Sequence, residues 1–310
     1  MSQIILHHYP QSPVAEKVRV ALGIKGLVWR SVEIPRIPPK PDLMPLTGGF
    51  RRTPVMQIGA DIYCDSQCIL REIDRRHVEP SFFPGGGYGM PWVLSRWSDT
   101  ILFDLVIRVV LGANPDDLPP EFAADRGRLY FGPDWDLKQV HKSLPHTLAQ
   151  LRAQLGWVDD RLAHGREFIL SEPGLPDVLI YYLVWFLRGR WDKGPEFLSE
   201  FPALEAWEAR MKAIGHGRPT PMEASQALEI AQACEPETPE SQDPRDPQNL
   251  KPGTRVSVQP DSDGGDPAVE GSVRLVSRNT IAIMRDDPNI GSVCIHFPRV
   301  GYKVRRLGVV

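Results

Sequence analysis

Cysteine is scarce in this chain of 310 residues: there are four, at positions 64, 68, 234 and 294. They are too few and too scattered for a disulfide framework, which points to a reducing compartment. An excess of charge of one sign is also missing. The formal net charge of −3 excludes a nucleic-acid binder that works through bulk positive charge. Long apolar runs are absent too, because Asp104 and Arg108 interrupt the strongest one, so no membrane span is expected. The first residues, MSQIILHHYP, have no basic segment ahead of a short apolar run and do not read as a signal peptide.

What the chain has in abundance is proline, 31 residues, about twice average usage. Spread evenly, these would break most helices. They are instead clustered. Five lie between residues 35 and 45 and five between 236 and 252, while Pro13, Pro176, Pro202 and Pro221 stand where helices start. Pro145 is the main one left inside a helical stretch, and a kink or break is expected there.

The N-terminal region reads as alternating short elements. Residues 3–8 form a strand, Ser12-Pro13 opens a helix that ends at Gly23–Gly26, and residues 27–34 alternate as a second strand. After the proline-rich loop, Thr53–Ile58 and Ile62–Cys64 read as strands, and Asp65-Ser66 caps a helix running to about Arg76. The order is βαβ, loop, ββα. From Pro91 the pattern is helical, with an apolar stripe over residues 91–111. Leu144, Leu148, Leu151, Leu155, Val158 and Leu162 recur at amphipathic spacing. Residues 176–188 are almost wholly apolar and read as a buried helix, followed by helices over 202–214 and 221–233. Residues 235–252 hold five acidic groups and five prolines and read as a solvated linker. Extended, such a linker spans roughly 50 Å. Five short strands are expected in residues 253–310, as a small SH3-like β-barrel.

Ser12-Pro13, Thr53-Pro54 and Asp65-Ser66 each have an ordinary reading as a helix cap or a strand start. Taken together on the βαβ-ββα order, they resemble the thioredoxin-like N-terminal domain of glutathione transferases. The matching stretches are YPQSPVAEKVRVAL (9–22), RRTPVMQI (51–58) and DSQCIL (65–70). The helical region beyond residue 90 resembles that family's second domain, and the likeness extends over roughly residues 1–230. The fold class this implies is α/β plus all-α. A thioredoxin-like glutathione-binding domain (1–80) precedes an all-helical electrophile-site domain (90–234), the acidic linker (235–252) and the β module (253–310).

The resemblance also implies a site. Ser12 would be the catalytic hydroxyl, hydrogen-bonded to the glutathione sulfur, where a donor and a helix N-terminus favour the thiolate. Tyr9, at the end of the first strand, is the alternative activator. Thr53, before a cis Pro54, would present its backbone to the cysteinyl part. Asp65 and Ser66 would hold the γ-glutamyl end, and Arg52, ahead of Arg51 and Lys40, would meet the glycyl carboxylate. Two departures stand out. Asp65 has a shorter reach than the family's commoner Glu. Gly174-Leu-Pro-Asp177 keeps the acid of the family's helix-capping box but lacks its Ser/Thr, a bond worth on the order of 1 kcal/mol.

Other candidates carry less. No cysteine lies in residues 9–14, which excludes a Cys-x-x-Cys oxidoreductase there. Cys64 and Cys68 read as buried inert thiols. His7 and His8 face opposite ways on a strand and cannot share an ion, and His141 and His146 have no metal spacing, so no metal is expected. Gly85–Gly87 reads as an interdomain hinge rather than a phosphate loop. The β module is mildly basic, with nine Lys/Arg against six Asp/Glu in residues 251–310. Its few aromatics, Phe297 and Tyr302, argue against RNA. The reading is a cytoplasmic, homodimeric glutathione transferase-like enzyme with glutathione as cosubstrate and an apolar electrophilic small molecule as second substrate. No membrane or nucleic-acid partner is expected. The alternatives are a glutathione-dependent dehalogenase, isomerase or peroxidase on the same fold, and a non-catalytic glutathione-binding or protein-interaction protein.

Overall fold

The computed structural model describes residues 3–308. The chain begins β1 (Ile5–His8), α1 (Pro13–Ile24), β2 (Val28–Glu33), α2 (Met44–Thr47), β3 (Val55–Ile58), β4 (Asp61–Cys64) and α3 (Ser66–Arg76). Helices follow: α4 (Met90–Arg96), α5 (Phe103–Gly112), α6 (Pro120–Phe131), α7 (Leu137–Lys142), α8 (Leu144–Leu162), α9 (Leu175–Arg190), α10 (Gly194–Leu198) and α11 (Pro202–Ile214). The chain then returns to strands with β5 (Arg218–Pro221), α12 (Ala224–Gln232), β6 (Arg255–Pro260), β7 (Val269–Val276), β8 (Thr280–Asp287), β9 (Gly291–Pro298) and β10 (Tyr302–Arg306). It forms two compact units. One takes in the N-terminal residues to Ala15, Val28–Ile73 and the chain from Arg218 onward; the other takes in Glu16–Leu27 and Asp74–Gly217.

In the first unit, ten strands among the described residues form one sheet, in the order β10-β6-β7-β8-β9-β4-β3-β1-β2-β5. β1 pairs parallel with β2 and antiparallel with β3, and β3 pairs antiparallel with β4. All five expected C-terminal strands are present, but the sheet they make does not close. The free edge of β9 is taken by β4, in parallel register with Asp61 beside Cys294 and Tyr63 beside His296. An open strand edge attracts a pairing partner, and the buried, apolar edge of β4 supplies one, so the module continues the N-terminal sheet. Residues of both ends share one core: Leu46, Phe50, Ile62 and Cys64 pack with Val256, Ile283, Ile295, Phe297 and Tyr302.

Two other features were not expected. β5, sequence Arg-Pro-Thr-Pro, lies at the outer edge beside β2. Proline is tolerated on an edge strand because its missing N–H faces away from the ladder. Pro221 therefore ends a strand, and the following helix starts at Ala224. Residues 235–252 are tied to the sheet at several points. The Glu237 amide and Thr238 hydroxyl donate to Asp61, Ser241 bridges to Leu275, and Leu250 is fully buried.

His7 illustrates how tightly this unit is filled. It lies on β1 with Nε2 2.9 Å from Gln57 Oε1, and Gln57 donates onward to the carbonyls of Gly59 and Ala227. His8, the next residue, reaches Ser31 instead, as strand alternation requires. Burial pushes the His7 pKa down to about 4, partly offset by the Gln57 bond. The unfolded chain, with its histidine near 6.5, then binds the proton more readily than the folded one. Stability from this group is complete above pH 6.5 and falls away as the pH drops toward 4, by about 3 kcal/mol in all. Urea unfolding at pH 7 and at pH 4 should show that loss, reduced in a His7→Gln variant. An unchanged pH dependence in the variant rules the assignment out.

The second unit is helical. Leu151, Leu155, Val158 and Leu162 of α8 are buried along one face, and α9 is buried over most of its length. The break expected at Pro145 is present: α7 stops at Lys142 and α8 begins at Leu144, placing Pro145 in its first turn. The apolar stripe of residues 91–111 is not one regular helix, because Trp97–Leu102 winds as a π-helical stretch between α4 and α5. That stretch carries Asp99, which accepts from Lys17 Nζ at 2.7 Å and from the Tyr182 hydroxyl at 2.9 Å.

Asp177 caps α9 as expected. Its carboxylate is fully buried and accepts from the amides of Gly174 and Ile169 and from the Trp207 indole, at 3.0, 2.9 and 2.8 Å. Burial pushes its pKa up against the pull of those donors. Gly174 in place of Ser/Thr has a steric reason: a Cβ there would lie 2.8 Å from the Phe82 carbonyl oxygen and 2.8 Å from Pro84 Cδ.

Candidate functional site

Strand register brings the three sequence motifs to one end of the sheet. His7 of β1 lies opposite Val55 of β3, and Val55 lies opposite Cys64 of β4. The residues just beyond β1, just before β3 and just beyond β4 are therefore neighbours at that end. They are Tyr9–Pro13, Arg52–Pro54 and Asp65–Ser66.

At the first junction, the Ser12 amide donates to the Tyr9 carbonyl and the Ser12 hydroxyl accepts from the Ala15 amide at 3.2 Å. This is an N-cap on α1, with Pro13 as the first helical residue. Ser12 is only 2% exposed. Its hydroxyl proton has no acceptor among the described residues, so the group can still donate to a ligand anion. Tyr9 is 7% exposed and packs in the shared core.

At the second junction, the Thr53–Pro54 peptide is cis. Lys40, buried, donates to the Thr53 hydroxyl and the Arg51 carbonyl, both at 2.9 Å. At the third, Asp65 adopts a left-handed backbone with φ of 77° and accepts from the Gln67 amide at 2.8 Å, capping α3. Ser66 is the buried first residue of that helix.

Two residues that sequence reasoning did not select enter the site from the C-terminal strands. The Tyr302 hydroxyl, on β10, donates to Asp65 Oδ2 at 3.0 Å. Asp266, in the loop between β6 and β7, accepts from Arg52 Nε and Nη2 at 3.1 and 2.6 Å, and Ser262 accepts from the same Nη2. Burial alone would lower the Arg52 pKa, but Asp266 outweighs it, with Tyr302 and Asp65 adding to the rise. Tyr302 stays protonated, since burial and Asp65 raise its pKa. No local pattern marks either residue. Asp266 sits in an ordinary Gly-Gly-Asp-Pro turn, and Tyr302 follows the alternation of its strand.

A second cluster groups Asp61, Cys294 and His296, whose donor atoms lie within 4.8 Å of one another. The Asp61 carboxylate is already served. Oδ1 lies 3.0 Å from His296 Nε2 and accepts from Thr238, and Oδ2 accepts from the Glu237 amide. Burial alone would raise the Asp61 pKa; these partners outweigh it and hold the carboxyl below its usual range. The cluster therefore does the work of a buttress that fastens residues 237–238 to the sheet. Cys64, Cys68 and Cys294 are buried and free, and burial pushes their thiols up, out of the reactive range.

The sequence profile described as "Glutathione S-transferase, N-terminal domain" matches residues 6–81. A crystal structure of a GST-like protein from Pseudomonas syringae is 33% identical, covers 99% of this chain and 100% of its own, and superposes with a TM-score of 0.81. The chain belongs to the glutathione S-transferase-like family. Family members more distant in sequence share the fold. Glutathione transferase GSTFuA2 from Phanerochaete chrysosporium is 20% identical over 69% of this chain and 99% of its own, with a TM-score of 0.54. Glutathione S-transferase III in apo form is 17% identical over 76% of this chain and all of its own, with a TM-score of 0.52. No curated protein matches the chain. For this glutathione S-transferase-like protein, the relatives support the thioredoxin-like and helical architecture and a function of the transferase family in general. Among its described residues, no helix is long and apolar enough to cross a membrane.

Proposed function

We propose that the chain is a glutathione-dependent transferase in which the Ser12 hydroxyl stabilises the glutathione thiolate for attack on an apolar electrophile. The observation that carries this reading is the convergence of Ser12, Thr53 and Asp65–Ser66 at one end of the sheet, with the Ser12 proton uncommitted. Ser12 and the N-terminus of α1 together favour the anionic sulfur, lowering the thiol pKa toward neutrality. The Thr53 backbone pairs with the cysteinyl residue. Ser66 and the N-terminus of α3 hold the γ-glutamyl carboxylate. The Asp65 carboxylate takes the ammonium. Tyr9 is the alternative activator; its place in the core favours Ser12.

The same thiolate serves displacement of halide, isomerisation or peroxide reduction, and the second substrate decides among them. A glutathione-binding protein without turnover is the second reading, favoured by the engagement of Arg52 and Asp65 by the chain's own Asp266 and Tyr302. A cytoplasmic homodimer is proposed with either, on the strength of family membership.

Isothermal calorimetry with glutathione tests the common ground, and conjugation assays against aryl halides, enones, epoxides and peroxides test turnover. Submillimolar binding with thioether formation is expected. Binding without turnover leaves the second reading; no binding at millimolar glutathione removes both.

A further inference from the structure

The start of α3 is held by the far end of the chain. Asp65, the residue before α3, accepts on Oδ1 from the Gln67 amide at 2.8 Å and on Oδ2 from the Tyr302 hydroxyl at 3.0 Å. Gln67 Nε2 in turn donates to the Val300 carbonyl at 3.4 Å, so the β9–β10 hairpin meets this helix start twice. The Tyr302 ring has little freedom to follow its partner. It is buried in the shared core, with ring centroids 5.6 Å from Phe297 and 6.4 Å from Phe50. Its strand is fixed in register with β6, Tyr302 opposite Pro260. A ring packed in this way delivers its hydroxyl to one point.

The two donors restrain a group that would otherwise turn. The terminal torsion of an aspartate is broad, so a carboxylate bonded through one oxygen still rotates. A donor on the other oxygen stops it. Asp65 needs that restraint because other charge reaches it. It contributes to the raised pKa of Arg52, which places the two groups in each other's field. Its backbone is held as well, at φ 77°, a conformation that residues with a side chain seldom adopt. Such a conformation persists where the surroundings over-determine it. Asp65, Gln67, Arg52, Val300 and Tyr302 all belong to the first unit.

We propose that Tyr302 is a positioning residue for the γ-glutamyl end of the substrate, its hydroxyl setting the angle at which Asp65 presents its carboxylate. This deepens the reading above and rests on it, because Asp65 matters here as the group that takes the γ-glutamyl ammonium. A charge-assisted bond depends on alignment. With the hydroxyl gone, the carboxylate is free to turn within the field of Arg52, and its bond to an ammonium weakens. A ligand without that ammonium has nothing to lose. The C-terminal strands then complete the peptide site.

The test is calorimetry on the full chain with two probes, glutathione and glutaryl-cysteinyl-glycine, which keeps the terminal carboxylate and lacks the ammonium. The wild-type protein should bind glutathione about tenfold more tightly than the analogue. Tyr302→Phe, which keeps the ring in the core, should weaken glutathione about fivefold and leave the analogue within about twofold. Asp65→Asn should abolish the preference, and Tyr302→Phe added to it should change neither affinity, because the hydroxyl acts through that carboxylate. A merely structural role for Tyr302 weakens both probes alike in Tyr302→Phe, and that result overturns the proposal. So does an unchanged glutathione affinity, or a double variant whose losses simply add. A wild-type protein without the preference overturns it with no variant needed. If neither probe binds the wild type, the γ-glutamyl thiol reading itself fails and this proposal falls with it; binding of both with the wrong pattern overturns the proposal alone.

Discussion

Ser12→Ala should lower turnover about a hundredfold while leaving glutathione affinity within a few fold. The hydroxyl is one donor aimed at an anion, and removing such a donor from a shielded site typically costs that much in rate. On the proposed reading, the peptide's binding energy comes mainly from backbone pairing at Thr53 and from the γ-glutamyl end, which this change does not touch. A second readout separates thiolate stabilisation from structural damage. Ser12 also caps α1 through the Ala15 amide, so its loss costs about 1 kcal/mol of stability whatever its chemical role. The pH profile of kcat/KM is insensitive to that cost. Its acidic limb should move to higher pH in Ser12→Ala, as the bound thiol loses its donor, and return in Ser12→Thr. Tyr9→Phe should leave the limb in place, since Tyr9 is packed in the core. A shifted limb in Tyr9→Phe, with Ser12→Ala unaffected, would assign the activating hydroxyl to Tyr9 instead.

The largest stability effect should come from Asp177→Ala. Three donors converge on that carboxylate, two of them backbone amides outside regular hydrogen bonding and one the Trp207 indole. Truncation strands all three in a site that water does not reach, at a cost of about 3–5 kcal/mol. Thermal and urea unfolding should show it plainly, and a loss below about 1 kcal/mol would mean that water or a shifted backbone replaces the carboxylate. Gly174→Ser makes a telling companion. On sequence grounds it completes the capping box and should stabilise. With the Phe82 carbonyl and Pro84 where its Cβ must go, it should destabilise by about 1–3 kcal/mol.

Local chemistry made much of this molecule legible. Leu144 to Leu162 announced α8 through spacing, Pro145 announced the break before it, and Ser12-Pro13 and Asp65-Ser66 announced helix starts that are present. Each is a property of a few adjacent residues. What could not be read depended on partners far away in sequence. Nothing in Ile62-Tyr63 specifies Ile295-His296 as neighbours, because strand pairing is a choice among edges, made by the whole unit. Arg-Pro-Thr-Pro looks like a loop until β2 lies beside it. The acidic, proline-rich composition of residues 235–252 describes their side chains correctly, yet two hydrogen bonds to Asp61 and one buried leucine are enough to pin the segment. The candidate site divides the same way. Ser12, Thr53, Asp65 and Ser66 were found by motif, whereas Asp266 and Tyr302 arrive from more than 200 residues away.

The pairing of β4 with β9 also imposes a timetable on synthesis. The helical unit, Asp74–Gly217 with the Glu16–Leu27 segment, is fully translated before the ribosome reaches β5. The first unit must wait: β4 emerges early, and its strand partner emerges some 230 residues later. At roughly 5–20 residues per second, the nascent chain carries that bare edge for tens of seconds. An exposed strand edge recruits other chains, so this protein is most vulnerable in the interval before β9 is made, when a chaperone or a slow codon would matter most.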